Sequence, residues 1–148
     1  MLINMASNIE IALFLDTNIF MDHFYDRNEH STRLINLCEK NVFDAYASTS
    51  SFYTLAYFLQ KSGNRNFRKM MENYSMLVSL ISTTSENLYA AYASRFTDLE
   101  DAFKYYTACN QPNLNYFVTN NIKDFRSVDR ELSVITPENL FKKLEHEG

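Results

Sequence analysis

The sequence predicts an α/β protein, a three-layer α/β/α sandwich in which helices cover both faces of a central, mainly parallel five-stranded sheet. Three observations predict it. Residues 11 to 15, IALFL, are an uninterrupted apolar run of strand length, the pattern of a strand covered on both faces. Further short strand-like runs alternate with helix-length segments, and strands joined through helices imply right-handed crossovers into a parallel sheet. The 148 residues fit one domain, and an apolar share of 46% with 12 Phe and 10 Tyr excludes a disordered chain.

The elements follow in order. After the first strand, Asp16 is positioned to cap a short helix beginning near Asn18. Residues 29 to 41, EHSTRLINLCEKN, place Leu34, Leu37 and Cys38 at helical spacing, with Asn41 as the stop. Ala45, Tyr46 and Ala47 make a second strand, and the STSS that follows starts a helix whose Phe52, Leu55, Ala56 and Leu59 recur at the helical period until Gly63. A helix over Asn66 to Met76 leads into a third strand, VSLIST, and SENLYAAYASRF reads as a helix capped by Ser85. A helix from about Leu99 to Asn110 precedes the fourth strand, YFVT, and LSVIT is the fifth. Pro137 opens a last helix that buries Leu140, Phe141 and Leu144. With only 2 Gly and 2 Pro there is no linker, so one domain spans residues 8 to 146.

Charge and cysteines narrow the function. A net charge of −4 argues against general coating of nucleic acid, though not against a local acidic site that handles RNA through bound cations. Cys38 and Cys109 lack partner spacing and read as small core residues in a reducing compartment, and His23, His30 and His146 show no ligand spacing. No apolar run approaches the roughly 18 residues of a membrane span, and no basic leader precedes Ile11, which points to the cytoplasm.

In a parallel sheet, ligands sit beyond the carboxyl ends of the strands. Three polar clusters fall there: Asp16 to Asn18, Ser48 to Ser51, and Asn120, Asn121 and Asp124 in VTNNIKDF. A further group, TDLEDAF, puts Asp98, Glu100 and Asp101 at a helix start, where Asp98 and Asp101, three apart, share a face. Each acid has an ordinary reading as well: Asp16 and Asp98 as helix caps, Asp101 as a favourable charge in a first turn, Asp124 as a turn residue. Convergence at one end of one sheet favours a cation site. Hard oxygen ligands without paired Cys or His suit Mg²⁺ or Mn²⁺ better than zinc.

FLDTNIFMD, DLEDAFKYYTA, YFVTNNIKDF and VITPENL, in that order and spacing, resemble the PIN domain family, in particular the VapC-like toxin ribonucleases of toxin-antitoxin systems. The resemblance runs from about Ile11 to Leu144. It implies a PIN-like α/β/α fold and divalent-metal-dependent cleavage of RNA by an acidic cluster at the strand ends. Asp16 matches the first acidic position and Asn18 the amide after it. Asp101 matches the third, with Asp98 one turn earlier. Thr119 matches the hydroxyl of the fourth motif, Asn121 stands where an Asp is usual, and Asp124 precedes Phe125. The metal set is therefore Asp16, Asp98, Asp101 and Asp124, with Thr119, Asn121 and Asn18 orienting water or phosphate. At the second acidic position, in STSSFYTLAYFLQK, many PIN domains carry Glu and this chain has Thr54.

The family also implies an RNA substrate, a possible cognate antitoxin protein and a homodimer, with apolar surface near residues 52 to 80 as a candidate interface. Lys61, Arg65, Arg68 and Lys69 read as a solvated helix face, whereas Lys123, Arg126 and Arg130 lie beside the acids and suit backbone contact. Tyr53, Tyr57, Tyr105 and Tyr106 read as core. A rival function keeps the fold without the chemistry: with neutral Thr54 and Asn121, the chain would be a scaffold binding protein or RNA. A phosphatase with a nucleophilic first-strand Asp is a third, disfavoured because Asn18 replaces the second Asp of DxDxT.

Overall fold

The computed structural model describes residues 10–126 and 131–147. The elements are β1 (Ile11–Leu15), α1 (Thr17–Phe24), α2 (Glu29–Glu39), β2 (Phe43–Ser48), α3 (Thr49–Lys61), α4 (Phe67–Leu77), β3 (Ser79–Ile81), α5 (Ser85–Ala93), α6 (Leu99–Ala108), β4 (Tyr116–Val118), a single 3-10 turn (Ile122–Phe125), β5 (Val134–Ile135) and α7 (Pro137–Glu147). The strands form one five-stranded sheet in the order β3-β2-β1-β4-β5, and every neighbouring pair is parallel. Among the described residues no helix is long and apolar enough to cross a membrane.

The apolar run of β1 is divided between two layers by the two-residue period of a strand. Leu13 and Leu15 face a core shared with Ile19, Phe20, Leu34, Leu55 and Leu140, from α1, α2, α3 and α7. Phe14 faces the opposite core, built from Ala102 and Tyr105 of α6, Ala91 of α5, Phe117 and Phe125. That second layer is aromatic: Phe14 stacks on Phe117 with ring centroids 5.0 Å apart, and Phe125 meets Phe117 at 4.8 Å. The Tyr105 hydroxyl donates to the Leu132 carbonyl at 3.0 Å and accepts from the Leu132 amide at 2.9 Å, fixing the chain before β5.

Helix ends follow local chemistry. Asn41 at φ 58° and Gly63 at φ 80° stop α2 and α3, since Asn and Gly enter left-handed backbone most readily. The cap of α5 is Thr84 rather than Ser85: the Thr84 hydroxyl accepts from the Asn87 amide while Asn87 Oδ1 accepts from the Thr84 amide at 2.8 Å, a reciprocal box that Ser85 is one residue too late to make. The same helix stops at Ala93, where the Ser94 hydroxyl takes up the Ala91 carbonyl at 2.7 Å and frees Phe96 to enter the aromatic layer. Two of the four tyrosines read as core stand outside it. Phe52, Leu55 and Leu59 turn the inner face of α3 toward the sheet, so Tyr53 and Tyr57, one turn apart on the other face, are 75% and 60% exposed.

The strand order reverses at β1. From it the chain crosses to β2 on one side, and β4 closes on the other, so the carboxyl ends of β1 and β4 open a crevice between them. Phe117 supports that crevice from beneath. Phe117→Ala is expected to lower stability by about 3–5 kcal/mol in urea unfolding, and a cost under about 1 kcal/mol would contradict this packing.

Candidate active site

Asp16 leaves β1 in extended conformation, and its amide donates to the Val118 carbonyl at 3.0 Å, tying the turn to β4. The residue is 1% exposed, yet its carboxylate is surrounded by donors. Oδ1 accepts from the Thr17 amide at 2.7 Å, as the cap of α1, and pairs with Lys104 Nζ at 2.7 Å. Oδ2 accepts from the Thr119 hydroxyl at 2.8 Å and from Asn18 Nδ2 at 3.3 Å. Four donors occupy the roughly four lone-pair sites a carboxylate offers.

The neighbours hold one another. The Oγ1 of Thr119, the first residue past β4, also accepts from Asn18 Nδ2 at 3.0 Å and from the Asn121 amide at 3.1 Å. Asn18 Oδ1 accepts from the Asn120 amide at 3.1 Å, and Asn120 Nδ2 donates to Asp22 Oδ2 at 2.7 Å and to Ser31 Oγ at 2.9 Å. The DTN segment and the VTNN segment are thus one hydrogen-bonded unit across the crevice.

The third side comes from α6. Asp98 caps it, its Oδ1 accepting from the Asp101 amide at 3.2 Å, and the Asp98 residue is exposed. Lys104, three residues past Asp101, sends its Nζ to within 3.4 Å of Asp101 Oδ1 and 3.8 Å of Glu100 Oε1 while pairing with Asp16. Burial alone would lower the Lys104 pKa, but attraction from Asp16, the hydrogen bond to it, and the charges of Asp101 and Glu100 outweigh burial and raise it. For Asp101 burial dominates: it lifts the carboxyl to about 6, helped by the negative charges of Asp16 and Asp98 and opposed by Lys104.

The structure therefore brings Asp16, Asn18, Thr119 and Asp101 together, with Asp98 at the rim. Asp124 is exposed on the 3-10 turn and makes no side-chain hydrogen bond or ion pair among the described residues, and Asn121 is exposed and joins through its backbone alone. Thr54 shares a cavity of about 250 Å³ with Ser50, Thr83, Glu100, Phe103 and Lys104. Lys123 and Arg126 are exposed beside the β4 end, and Arg130 lies outside the described residues. The sequence places Asn120 in the polar cluster after the fourth strand without giving it a role, and it does not point to Lys104. The signal for Lys104 was its i+3 and i+4 spacing from Asp101 and Glu100, which places it on their helix face.

Among the described residues no three acidic, His or Cys side chains converge tightly enough to form a complete metal-binding group. Burial pushes the Cys38 thiol up to about 12 and the Cys109 thiol up to about 11, which removes both as thiolate ligands near neutrality. The oxygen donors of Asp16 and Asp101 fit Mg²⁺ or Mn²⁺ in type, since such ions keep several waters and need one or two direct carboxylates. The space between those two carboxylates is held by the Lys104 ammonium.

Fold and site together define a parallel-sheet α/β protein with a buried acidic centre at its topological switch point. The PIN domain model matches residues 12–123, and the chain belongs to the PIN domain family, whose members are generally nucleases that use divalent metals. Similar solved structures include VapBC2 of Rickettsia felis bound to a promoter DNA fragment (20% identity over 85% of this chain and 98% of that one, TM-score 0.64). DNA-bound VapBC of Salmonella typhimurium is similar at 17% identity over 86% and 98%, with TM-score 0.67. A toxin-antitoxin complex of Klebsiella pneumoniae is similar at 21% identity over 85% and 97%, with TM-score 0.62. No curated protein sequence matches the chain.

The raised Asp101 pKa sets a pH dependence. An unfolded Asp titrates near 3.8 and the folded one near 6, so between these values the native state holds the extra proton, and this group's contribution to stability declines as pH rises through about 6. In excess chelator, Asp101→Asn is therefore expected to change the melting temperature more favourably at about pH 7 than at about pH 4.5. A variant penalised more at the higher pH would contradict the assignment.

Proposed function

We propose that this chain is a metal-dependent endoribonuclease that cleaves RNA phosphodiester bonds, the toxin of a type II toxin-antitoxin pair, acting in the cytoplasm as a single PIN domain over residues 8 to 146. The observation that carries the reading is the Asp16 carboxylate, buried and held by four donors at the β1/β4 crevice, with Asp101 across the same ammonium. Membership of the PIN family supports nuclease chemistry, and the similarity to toxin-antitoxin structures supports a protein antitoxin as partner.

Asp16 and Asp101 would hold Mg²⁺ or Mn²⁺, with Asp98 and Asp124 adding negative charge around them. When bound, such an ion supplies Lewis-acid stabilisation of charge on the phosphate and a water acidified toward neutral pH. The chain's own groups do the positioning. Thr119 and Asn18 donate to Asp16 Oδ2, which leaves the Oδ1 position that Lys104 fills as the one an ion would take, while Asn18 locks Thr119 and, through Asn120, the start of the loop after β4. Asn121 on that loop, and the exposed Lys123 and Arg126, would receive the RNA backbone, a sequence-independent contact. The outward Tyr53, Tyr57, Phe58, Met76 and Leu80 support the homodimer face near residues 52 to 80.

One observation favours a second reading. Thr54 and Asn121 are neutral and Lys104 already stands between the central acids, which suits a weakened scaffold that binds protein or RNA without cutting.

The test compares wild type with Asp16→Asn on structured RNAs in Mg²⁺ or Mn²⁺. The substitution is expected to lower the cleavage rate by about two to three orders of magnitude, and excess chelator to abolish it. Cleavage that survives either treatment would contradict the mechanism, and no saturable Mn²⁺ binding by wild type would favour the scaffold.

A further inference from the structure

Lys104 has no place in that mechanism, yet it occupies its centre. The side chain is 8% exposed, and its ammonium stands 2.7 Å from Asp16 Oδ1 and 3.4 Å from Asp101 Oδ1. A lysine ammonium is compact and strongly hydrated, so it is buried only where fixed counter-charges replace the lost water. The counter-charges here are the two carboxylates assigned to metal binding. Without a cation between them, a buried Asp16 and a half-buried Asp101 would repel across the crevice.

We propose that Lys104 is an internal counter-cation holding the position between Asp16 and Asp101 that a divalent ion takes, so that metal binds only as the ammonium leaves. This rests on the divalent-ion reading above and deepens it. Lys104 is a positioning residue in this role: it keeps the acids assembled while metal is absent and sets the affinity with which metal enters.

The ammonium has somewhere to go. Lys104 also lines the cavity of about 250 Å³ that it shares with Thr54 and Glu100, and Glu100 Oε1 waits 3.8 Å from Nζ on a side chain 65% exposed. The displacement also changes the charge of the site. Asp16, Asp101, Glu100 and Lys104 together carry two net negative charges, and a divalent cation that enters while the lysine stays beside Glu100 cancels them, which lowers the repulsion a phosphodiester meets there. A metal-free protein of this design repels RNA at the acids more strongly than a metal-loaded one.

The full chain tests this through Mn²⁺ titration read by electron paramagnetic resonance. Lys104→Gln is expected to bind Mn²⁺ about tenfold more tightly than wild type, whereas Lys123→Gln, which removes the same charge from an exposed lysine after β4, gains much less. In excess chelator Lys104→Gln melts below wild type, and saturating Mn²⁺ closes that gap. Native wild type is followed separately by reductive methylation and mass spectrometry, with Lys104 protected in chelator and reactive once Mn²⁺ is added. Equal affinities in wild type and Lys104→Gln, a gain no larger than that of Lys123→Gln, or a Lys104 still protected at saturating Mn²⁺ overturns the inference. Mn²⁺-dependent RNA cleavage alongside equal affinities overturns this inference alone, while no Mn²⁺ binding by either protein overturns the nuclease reading with it.

Discussion

A carboxylate with no access to water must be satisfied by the protein, and the site is organised around that requirement at Asp16. Its four donors come from three separate parts of the chain: Thr17 and Asn18 from the start of α1, Thr119 from the end of β4, and Lys104 from α6. Removing one partner of a buried ion pair typically costs about 3–5 kcal/mol, because the other charge is left stranded. Asp16 therefore couples two cores that are otherwise divided by the sheet. Asp16, capping α1 and paired with Lys104 of α6, joins the layer of α1, α2, α3 and α7 to the layer of α5 and α6.

Topology makes that coupling possible. Parallel pairing of Leu15 with Val118 brings the residues that follow, Asp16 and Thr119, to the same level on adjacent strands. Their separation in sequence is 103 residues, and the hydrogen bond between them is 2.8 Å. The aromatic layer beneath, Phe14 on Phe117 and Phe117 on Phe125, sets the height of both strand ends and of the 3-10 turn. Site geometry is in this sense a consequence of core packing, and loss of packing at Phe117 would be felt at the acids.

The strands, most helices and the residues at the strand ends were legible in the sequence because each depends on local pattern. Ile11 to Leu15 has the span read from its apolar run, and Pro137 opens α7 as its fixed backbone requires. The cap readings of Asp16 and Asp98 also describe real bonds, so capping and site membership coexist in the same carboxylates. What local pattern could not show was where helix faces turn. Tyr53 and Tyr57 share apolar character with Phe52 and Leu55, and only docking of α3 on the sheet decides which pair is buried. Lys104 was hidden for a related reason: a lysine four residues from a glutamate reads as a surface pair until α6 packs against β1 and Asp16 becomes its nearest partner.

The central claim is that Asp16 and Asp101 form one cation position, filled by Lys104 until a divalent ion replaces it. A crystal structure of the full chain grown with Mn²⁺, with anomalous data collected at the manganese edge, tests it most directly. The expected result is a manganese peak in direct contact with carboxylate oxygens of both Asp16 and Asp101, with Lys104 Nζ withdrawn toward Glu100 and the cavity. A peak elsewhere on the surface, or manganese bound while Lys104 still contacts Asp16, would contradict it.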